Sequence, residues 1–431
     1  MYLHEKIETL PRKELEELQL ERFKKAIKTA SGTPYYSKLF SQHNIDITKI
    51  TTLDHIKDLP FTTKNDLRLS YPDGMVAVPK SDLVRMHASS GTTGKSTVIF
   101  HTLNDVNNWS DQVARAMYST GARKEDTLQN MMGYGLFTGG LGLHYGAERL
   151  GCLVIPSSTG NSLRQIQLMQ DFNSTLIHIT PSYALHLVEV IKEQGINPHD
   201  LAVKKAYFGA EPYSEATKEK LENLWGVDAY NMYGLSEMNG PGVAADCIYK
   251  NGMHLAEDYY IAEIIDPETC EQLPDGEEGE LVLTHINREA MPIIRYRTRD
   301  RTRIIPEQCR CGKTHRRIER IKGRTDDLII VGGVNVFPSQ IESVLMNIPE
   351  VGNNYVIVLD REDGLDRMHI KVELYSKLFQ GDIKVLKQLN KEIVEKLRAL
   401  IIINPRVEFQ EPGSLPPSEG KAKRVIDNRI I

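Results

Sequence analysis

The stretch from Ser89 to Thr97 (SSGTTGKST) concentrates hydroxyl side chains, glycines and one lysine, the residue types that bind phosphate. Glycines and hydroxyls let backbone N–H groups converge on an anion, and Lys95 adds a positive charge. A Walker loop would need a glycine five residues before Gly94, where this chain has a serine, and a helix after the loop. Here a strand-like stretch follows, Thr97 to His101 (TVIFH). An ordinary turn is the alternative, but the composition favours a phosphate loop of another kind.

Cysteine and histidine side chains form a second group of residues that could carry chemistry. Cys309 and Cys311 are two residues apart, and Cys247 and His254 lie about 60 residues earlier. Soft and borderline ligands of this kind suit a closed, tetrahedral zinc site. We predict structural Zn²⁺ on these four residues. His315 is the alternative to His254, and buried free thiols are the alternative to any metal.

The elements that position these residues follow an α/β pattern between about residues 84 and 300. Short apolar runs predict strands at Cys152 to Pro156, Thr175 to Thr180 and Lys205 to Phe208, and a helical run around Tyr183 to Glu193 lies between them. Such alternation is typical of a sheet buried by helices. A helix is expected to begin at Pro11, as the first helix of the chain.

The C-terminal part has a different pattern. A turn at Pro274-Asp275-Gly276 precedes a strand-like run, Glu278 to Thr284, which opens a β-rich section. Beyond Gly323 to Asp327 come the strands Leu328 to Val331 and His369 to Tyr375, with a helix from about Pro338. The sequence therefore predicts a large α/β domain over 1–323 and a small α+β domain over 324–431.

Composition narrows the class of protein. The chain has 431 residues, 26% of them charged, and a net charge of −5, which gives no general attraction to nucleic acid or anionic lipid. The first ten residues lack the apolar core of a signal peptide, and no apolar run is long enough to span a membrane. An odd cysteine count in a long chain favours a reducing cytoplasm.

Five further segments resemble, in order, signatures of the adenylate-forming superfamily, which contains acyl-CoA synthetases, adenylation domains of peptide synthetases and luciferases. The phosphate loop matches the first signature of that family. The others are Gly209 to Pro212 (GAEP), Tyr233 to Glu237 (YGLSE), Tyr296 to Asp300 (YRTRD), Gly323 to Asp327 (GRTDD) and Leu415 to Arg424 (LPPSEGKAKR). Each is modest alone, and their joint order makes the resemblance specific.

The resemblance implies an ATP site with Mg²⁺ held by Glu237, because a metal that bridges phosphates neutralises charge as pyrophosphate departs. Asp300 would accept hydrogen bonds from both ribose hydroxyls. A solvated charge cluster is the alternative for the segment around Asp300. The implied ATP-binding residues are Ser89, Ser90, Gly91, Thr92, Thr93, Gly94, Lys95, Gly209, Ala210, Glu211, Pro212, Asn231, Met232, Tyr233, Gly234, Ser236, Asp300 and Arg324.

The same resemblance assigns roles near the C-terminus. Lys421 matches the catalytic lysine, whose charge stabilises the reacting carboxylate and α-phosphate, and Lys423 is the second choice. Asp326 matches the hinge about which the small domain turns between two half-reactions. The loop predicted to meet coenzyme A contains Gly332, Gly333, Val334 and Asn335.

Two longer segments, Gly133 to Gly151 and Gly332 to Glu342, resemble the phenylacetate–CoA ligases, one branch of the superfamily, and so does the stretch Glu289 to Asp300. Tyr134, Phe137 and Gly139 would then line the acyl pocket, where aromatic rings suit an aryl ring. Packing of the two aromatic residues in the core is the alternative.

The resemblance thus predicts an AMP-forming ligase that activates phenylacetate as an adenylate and transfers the acyl group to coenzyme A. Indoleacetate, hydroxyphenylacetate and benzoate are alternative acids, and a carrier protein is an alternative acceptor. A nucleotide-binding regulatory protein without catalysis is the alternative from another class. The family also suggests a homodimer.

Overall fold

The computed structural model describes residues 1–89, 96–211, 213–362, 365–375, 383–415 and 424–429. The chain forms two compact units. Unit 1 contains Met1–Ser158 and Tyr230–Ile321, and unit 2 contains Thr159–Ala229 and Lys322–Ile431. The domain boundary after residue 323 stays a prediction.

Helices are present in both units. The α-helices of the described residues are α1 Glu5–Glu8, α2 Arg12–Ser31, α3 Pro34–Gln42, α4 Lys64–Leu69, α5 Leu103–Ser119, α6 Thr138–Leu150, α7 Ser162–Asp171, α8 Pro181–Glu193, α9 Glu215–Trp225, α10 Pro338–Met346 and α11 Ile383–Ile401. Single 3₁₀ turns cover Ile47–Lys49, Leu53–Asp58, Lys80–Asp82, Pro198–Asp200 and Ser236–Met238. None of the described helices is both long enough and apolar enough to cross a membrane.

The strands are short in the first half of the chain and longer near its C-terminus. They are β1 Leu83–Ala88, β2 Val98–Thr102, β3 Thr127–Asn130, β4 Leu153–Ile155, β5 Leu176–Ile179, β6 Lys205–Phe208, β7 Asp228–Leu235, β8 Gly240–Ala245, β9 Met253–Leu255, β10 Tyr260–Ile265, β11 Gly279–His285, β12 Tyr296–Thr302, β13 Ile304–Ile305, β14 Arg317–Ile318, β15 Gly323–Arg324, β16 Ile329–Val331, β17 Val334–Val336, β18 Val351–Glu362, β19 Leu365–Leu374, β20 Arg406–Gln410 and β21 Val425–Asp427. The strands and later helices expected from the sequence are confirmed, with ends shifted by a few residues.

In unit 1, β1 and β2 pair antiparallel on either side of the phosphate loop. Strands β3 and β4 are parallel, whereas β7, β8, β9, β14 and β13 form an antiparallel series. Strands β10, β11 and β12 form an antiparallel meander. The parallel and antiparallel parts give this unit the α/β character with a β-rich section that the sequence predicted.

In unit 2, β5 and β6 are parallel. Strands β18 and β19 pair antiparallel, and β21 and β20 flank them in parallel. Apolar side chains of α10, α11, β18 and β19 form one core, which contains Ile341, Leu345, Ile357, Ile370 and Leu397. The C-terminal part is therefore α+β, as expected.

The first helix of the chain differs from the prediction. Helix α2 begins at Arg12 directly after Pro11, but the four-residue α1 precedes it. Glu8 stabilises this turn, since its carboxylate accepts hydrogen bonds from the backbone N–H groups of Leu3 and His4 at 3.0 and 2.8 Å. A single turn is too short to show a helical period, so the sequence pattern missed it.

Helices α5 and α6 pack closely because α6 is rich in glycine. A Cβ on Gly142 would lie 2.7 Å from the Trp109 ring, and one on Gly146 would lie 2.4 Å from Val113. Real Cβ atoms do not approach so closely, so these two glycines are required for the helix contact. Helix α5 begins with a capping box in which Thr102 and Asp105 bond each other's backbone N–H groups.

Candidate nucleotide site and metal centre

The phosphate loop closes at its base. The Ser89 N–H donates to the Thr97 carbonyl at 3.1 Å, and the two hydroxyl groups are in contact. The strand β2 follows the loop. This confirms the expectation of a strand at the place where a Walker loop would be followed by a helix. Six predicted phosphate-binding residues lie outside the described part of the chain: Ser90, Gly91, Thr92, Thr93, Gly94 and Lys95.

The segment Tyr233 to Glu237 lies where β7 turns into β8. A Cβ on Gly234 would stand 1.8 Å from the Gly240 carbonyl oxygen, so only glycine fits this turn. Asn239 has a φ of 74°, in the left-handed region that asparagine tolerates best after glycine. The turn places Glu237 in a 3₁₀ helix with 5% of its surface exposed.

Backbone and hydroxyl contacts hold this turn in place. The Glu237 carbonyl oxygen accepts a hydrogen bond from Arg288 at 2.9 Å. Ser236 Oγ lies 3.2 Å from Thr138 Oγ1 at the start of α6. The Glu237 segment is thus anchored through its main chain, and its carboxylate oxygens are hard ligands of the kind that Mg²⁺ prefers.

Two other predicted nucleotide residues are buried in β7. The Asn231 backbone and side-chain N–H groups both donate to Asp246 at 2.8 Å. Met232 is 6% exposed and packs in the interior. Their described contacts are with the protein, and their role toward ATP stays a prediction.

Asp300 and the neighbouring arginines point to opposite faces of β12. Tyr296, Thr298, Asp300 and Thr302 are buried, and the arginines between them are half-buried. On the outer face, Arg297 forms a bidentate pair with Glu280 of β11, and Arg301 pairs with Glu278 at 2.5 Å.

On the inner face, the Tyr233 hydroxyl donates to Asp300 Oδ2 at 2.6 Å. The solvated charge cluster considered as an alternative does not describe this segment, since Asp300 is buried and Arg297 pairs with the fully buried Glu280. A buried carboxylate beside an aromatic ring can accept hydrogen bonds from a ligand diol while the ring covers a flat base.

Three predicted ATP residues of unit 2, Gly209, Ala210 and Glu211, follow β6 directly. Ala210 has a φ of 69°, in the left-handed region that residues other than glycine rarely adopt. Glu211 Oε1 accepts the backbone N–H of Ser182 at 2.6 Å, in the first turn of α8. Pro212 lies outside the described residues.

Arg324 and Asp326 form a bidentate ion pair at 2.8 and 2.9 Å. Asp326 is half exposed, at 54%. This pair fixes two predicted functional residues against each other at the start of the small domain. Lys421 and Lys423 lie outside the described residues.

The predicted coenzyme A loop is the turn of a β-hairpin. Gly332 and Gly333 join β16 to β17 with φ values of 55° and 80°. Two consecutive positive φ values define the turn type that best fits hairpin twist, and glycine adopts them without strain. Val334 and Asn335 follow on β17, where Asn335 is exposed.

Of the three predicted acyl-pocket residues, Tyr134 and Phe137 lie between β3 and α6, and Gly139 lies in the first turn of α6. The Tyr134 hydroxyl accepts from Asn130 Nδ2 at 2.8 Å and lies 3.1 Å from His144 Nδ1. Phe137 is 50% exposed, so it does not pack the core as the alternative supposed. A Cβ on Gly139 would meet Met132 at 3.5 Å, an ordinary contact.

The Cys–His set comes together as one buried cluster. Single ligand atoms of Cys247, His254, Cys309 and Cys311 all lie within 4.8 Å of one another. The sulfurs of Cys247 and Cys309 are 3.7 Å apart, too far for a disulfide bond. Two sulfurs on a tetrahedral zinc, with bonds of about 2.3 Å, would be about 3.8 Å apart. The spacing therefore fits a shared ion.

His254, rather than His315, faces the sulfurs. His254 Nε2 lies 3.2 Å from Cys311 Sγ, and its Nδ1 lies 3.2 Å from the His315 carbonyl oxygen. Donation from Nδ1 to that carbonyl leaves the Nε2 lone pair for a metal. The ring of His315 lies against backbone groups instead, with Nδ1 3.0 Å from the Leu255 carbonyl oxygen.

Sequence reasoning missed Arg288, which links the Glu237 carbonyl to the rest of unit 1. The residue precedes the Glu289 to Asp300 segment, and nothing in its local pattern marks it. Burial, and then the charge of Arg288, hold the pKa of His285 well below its ordinary value.

Two family models match this chain. Residues 24–287 match the family model "AMP-binding enzyme", and residues 333–429 match "AMP-binding enzyme C-terminal domain". The chain belongs to the AMP-binding enzyme family, as its motifs predicted.

Within that family it is similar to phenylacetate–coenzyme A ligases. The ligase of Pseudomonas putida is 46% identical over 96% of this chain and 94% of its own, and that of Thermus thermophilus is 43% identical over both full lengths. A crystal structure of 2-hydroxyisobutyryl-CoA ligase with 2-HIB-AMP is 28% identical, has a TM-score of 0.94, and covers 99% of this chain and 92% of that one.

Proposed function

We propose that this chain is an AMP-forming ligase that converts ATP, phenylacetate and coenzyme A into AMP, diphosphate and phenylacetyl-CoA. The observation that carries the proposal is full-length similarity to phenylacetate–coenzyme A ligases. The Tyr233–Asp300 pair, at 2.6 Å, adds a recognition element of the expected kind inside unit 1.

The reaction needs no nucleophilic side chain. A carboxylate is a poor acyl electrophile, because its leaving group would be oxide or hydroxide. Attack of the carboxylate oxygen on the α-phosphorus of ATP expels pyrophosphate and gives a mixed anhydride. The thiolate of coenzyme A then attacks the acyl carbon, and AMP leaves with the electron pair of the broken C–O bond.

The residues of unit 1 supply binding and electrostatics for the first step. Glu237 would hold Mg²⁺, which neutralises phosphate charge when bound. Asp300 accepts hydrogen bonds from the ribose hydroxyls, and Tyr233 both orients that carboxylate and lies against the base. Tyr134 and Phe137 contact the aryl ring of the acid, whose aromatic edge suits theirs.

In the C-terminal part, the proposed catalytic residue is Lys421, with Asp326 as hinge and Gly332 to Asn335 as the loop that meets coenzyme A. A cation is required where charge develops at the α-phosphate. Lys421→Ala is expected to abolish adenylation while thioester formation from preformed phenylacetyl-adenylate persists. Equal loss of both steps would contradict the role, and Lys423→Ala is the matched control.

The decisive assay supplies purified protein with Mg²⁺, ATP and a panel of acids, and measures pyrophosphate release and thioester formation. Phenylacetate should give the highest kcat/KM, with indoleacetate, hydroxyphenylacetate and benzoate below it, since small changes in an apolar pocket alter discrimination by about 10- to 200-fold. AMP release at equal speed without coenzyme A would favour another acceptor. No pyrophosphate with any acid would refute the activity.

We also propose that Cys247, His254, Cys309 and Cys311 bind Zn²⁺ as a structural centre. The donors fit zinc in type, in number and in their mutual distances. Metal analysis of protein purified without a histidine tag should give about one zinc per chain. A value below about a tenth of an equivalent would reject the site. Homodimer formation and a cytoplasmic location stay predictions.

A further inference from the structure

Arg288 is a buried cation that touches two parts of the nucleotide region at once. Its side chain is 4% exposed. Nη1 donates to the Glu237 carbonyl at 2.9 Å, and Nη2 donates to the Phe100 carbonyl at 3.4 Å. Phe100 belongs to β2, the strand that leaves the phosphate loop. One guanidinium therefore joins the backbone of the proposed magnesium ligand to the strand that follows the loop.

The backbone that follows Arg288 is fixed to the end of β2 and the first turn of α5. Asp105 accepts the backbone N–H groups of Glu289 at 2.8 Å and of Ala290 at 2.9 Å. The Glu289 carboxylate in turn accepts from Thr102 Oγ1 at 2.9 Å and Asn104 Nδ2 at 2.8 Å. These hydrogen bonds hold the backbone next to Arg288 at the junction of β2 and α5. Arg288 therefore cannot shift without moving that junction.

The bonding of Arg288 differs from that of Arg115 and Arg295, two buried arginines of unit 1 that pair with carboxylates, and resembles that of Arg317, whose guanidinium donates to the carbonyls of Asn251 and Glu307. Arg115 is paired with both oxygens of Asp258 at 2.8 and 3.1 Å, and Arg295 is paired with Glu263. The hydrogen bonds of Arg288 go to carbonyl oxygens, and its Nε has no hydrogen-bond partner among the described residues. A buried charge without a bonded carboxylate is costly, and an apolar residue would serve packing better.

We propose that Arg288 is a positioning residue for adenylation. It sets the distance between the Glu237 segment and β2, so that the proposed magnesium ligand keeps its placement relative to this strand when ATP binds. The inference rests on the proposed role of Glu237. It assigns Arg288 no contact with substrate, and it predicts an effect on the first half-reaction alone.

Arg288→Lys tests this, because an ammonium on a single stem cannot reproduce the fork that reaches both carbonyls. We expect pyrophosphate release to fall about 10- to 100-fold, the cost of a small misplacement of reacting groups, and the Mg²⁺ concentration for half-maximal rate to rise. Thioester formation from preformed phenylacetyl-adenylate and coenzyme A should stay within about twofold on the same preparation.

Arg115→Lys is the matched control, since it weakens an equally buried arginine that contacts neither segment. The control is expected to lose both half-reactions in parallel. The same parallel loss in Arg288→Lys would overturn the inference. Unchanged adenylation in Arg288→Lys would overturn it too. Glu237→Gln, measured alongside, separates the two proposals. If Glu237→Gln abolishes adenylation but Arg288→Lys is normal, only the positioning role fails. If Glu237→Gln is fully active, the proposed magnesium site itself fails.

Discussion

Two clusters in unit 1 are assembled from equally distant parts of the sequence, yet they are built in opposite ways. Tyr233 and Asp300 are 67 residues apart, and Cys247 and Cys309 are 62 apart. In the Cys–His cluster all four donors face one another and are buried. In the nucleotide cluster, backbone contacts hold the Glu237 turn and one phenol orients Asp300.

The difference fits the role proposed for each cluster. A closed tetrahedral set retains its ion and stabilises the fold, because the donors satisfy each other through the metal. A site for a substrate must keep acceptor oxygens for groups that come and go. The comparison predicts that variants of the first cluster change stability and that variants of the second change catalysis.

Among variants of these two clusters, Glu237→Gln should have the largest effect on activity. Removing the carboxylate charge removes the proposed Mg²⁺ ligand, so pyrophosphate release is expected to fall about 100- to 1,000-fold. The melting temperature should stay the same, because the hydrogen bond from Arg288 goes to the backbone carbonyl. A fall in melting temperature that accounts for the lost activity would contradict the prediction that variants of this cluster change catalysis rather than stability.

Asp300→Asn should weaken ATP binding next. An amide offers one acceptor oxygen where the carboxylate offered two, so a diol loses a charge-assisted hydrogen bond. We expect KM for ATP to rise about 10- to 100-fold with a smaller change in kcat. The control is Arg301→Gln on the outer face of β12; an equal rise in KM there would contradict the division of the two faces.

Tyr233→Phe should act in the same direction with a smaller magnitude. The ring stays, but the 2.6 Å hydrogen bond to Asp300 is lost, and a bond to a charged group contributes about 1.5–3 kcal/mol at most. We expect KM for ATP to rise about 3- to 10-fold. Steady-state kinetics with varied ATP measures this, and an unchanged KM would show that the phenol does not orient the carboxylate.

Cys311→Ser should change activity least and stability most. Loss of a zinc ligand is expected to release the metal and to lower the free energy of unfolding by several kcal/mol, of order 3–5. At 25 °C the folded fraction should keep KM for ATP within about twofold. Cys152→Ser, outside the cluster, is the control. Bound zinc and an unchanged melting temperature in Cys311→Ser would remove the structural role.

Local pattern predicted most of the elements around the site. The β-branched run after the phosphate loop forms β2, and the turn before Glu278 leads into β11, because strand propensity and turn chemistry act over a few residues. The one-turn helix α1 was not predicted, since it depends on the buried carboxylate of Glu8 rather than on a periodic pattern.

The sequence by itself determined the family, the order of the motifs and the three cysteines of the proposed metal site, because these depend on residue type and spacing. Only the tertiary structure decided that Asp300 turns away from its arginine neighbours, that His254 rather than His315 faces the sulfurs, and that Arg288 reaches the Glu237 carbonyl. These outcomes depend on which strands from distant parts of the sequence lie side by side. The order of residues in the sequence does not give the distances between such strands in space.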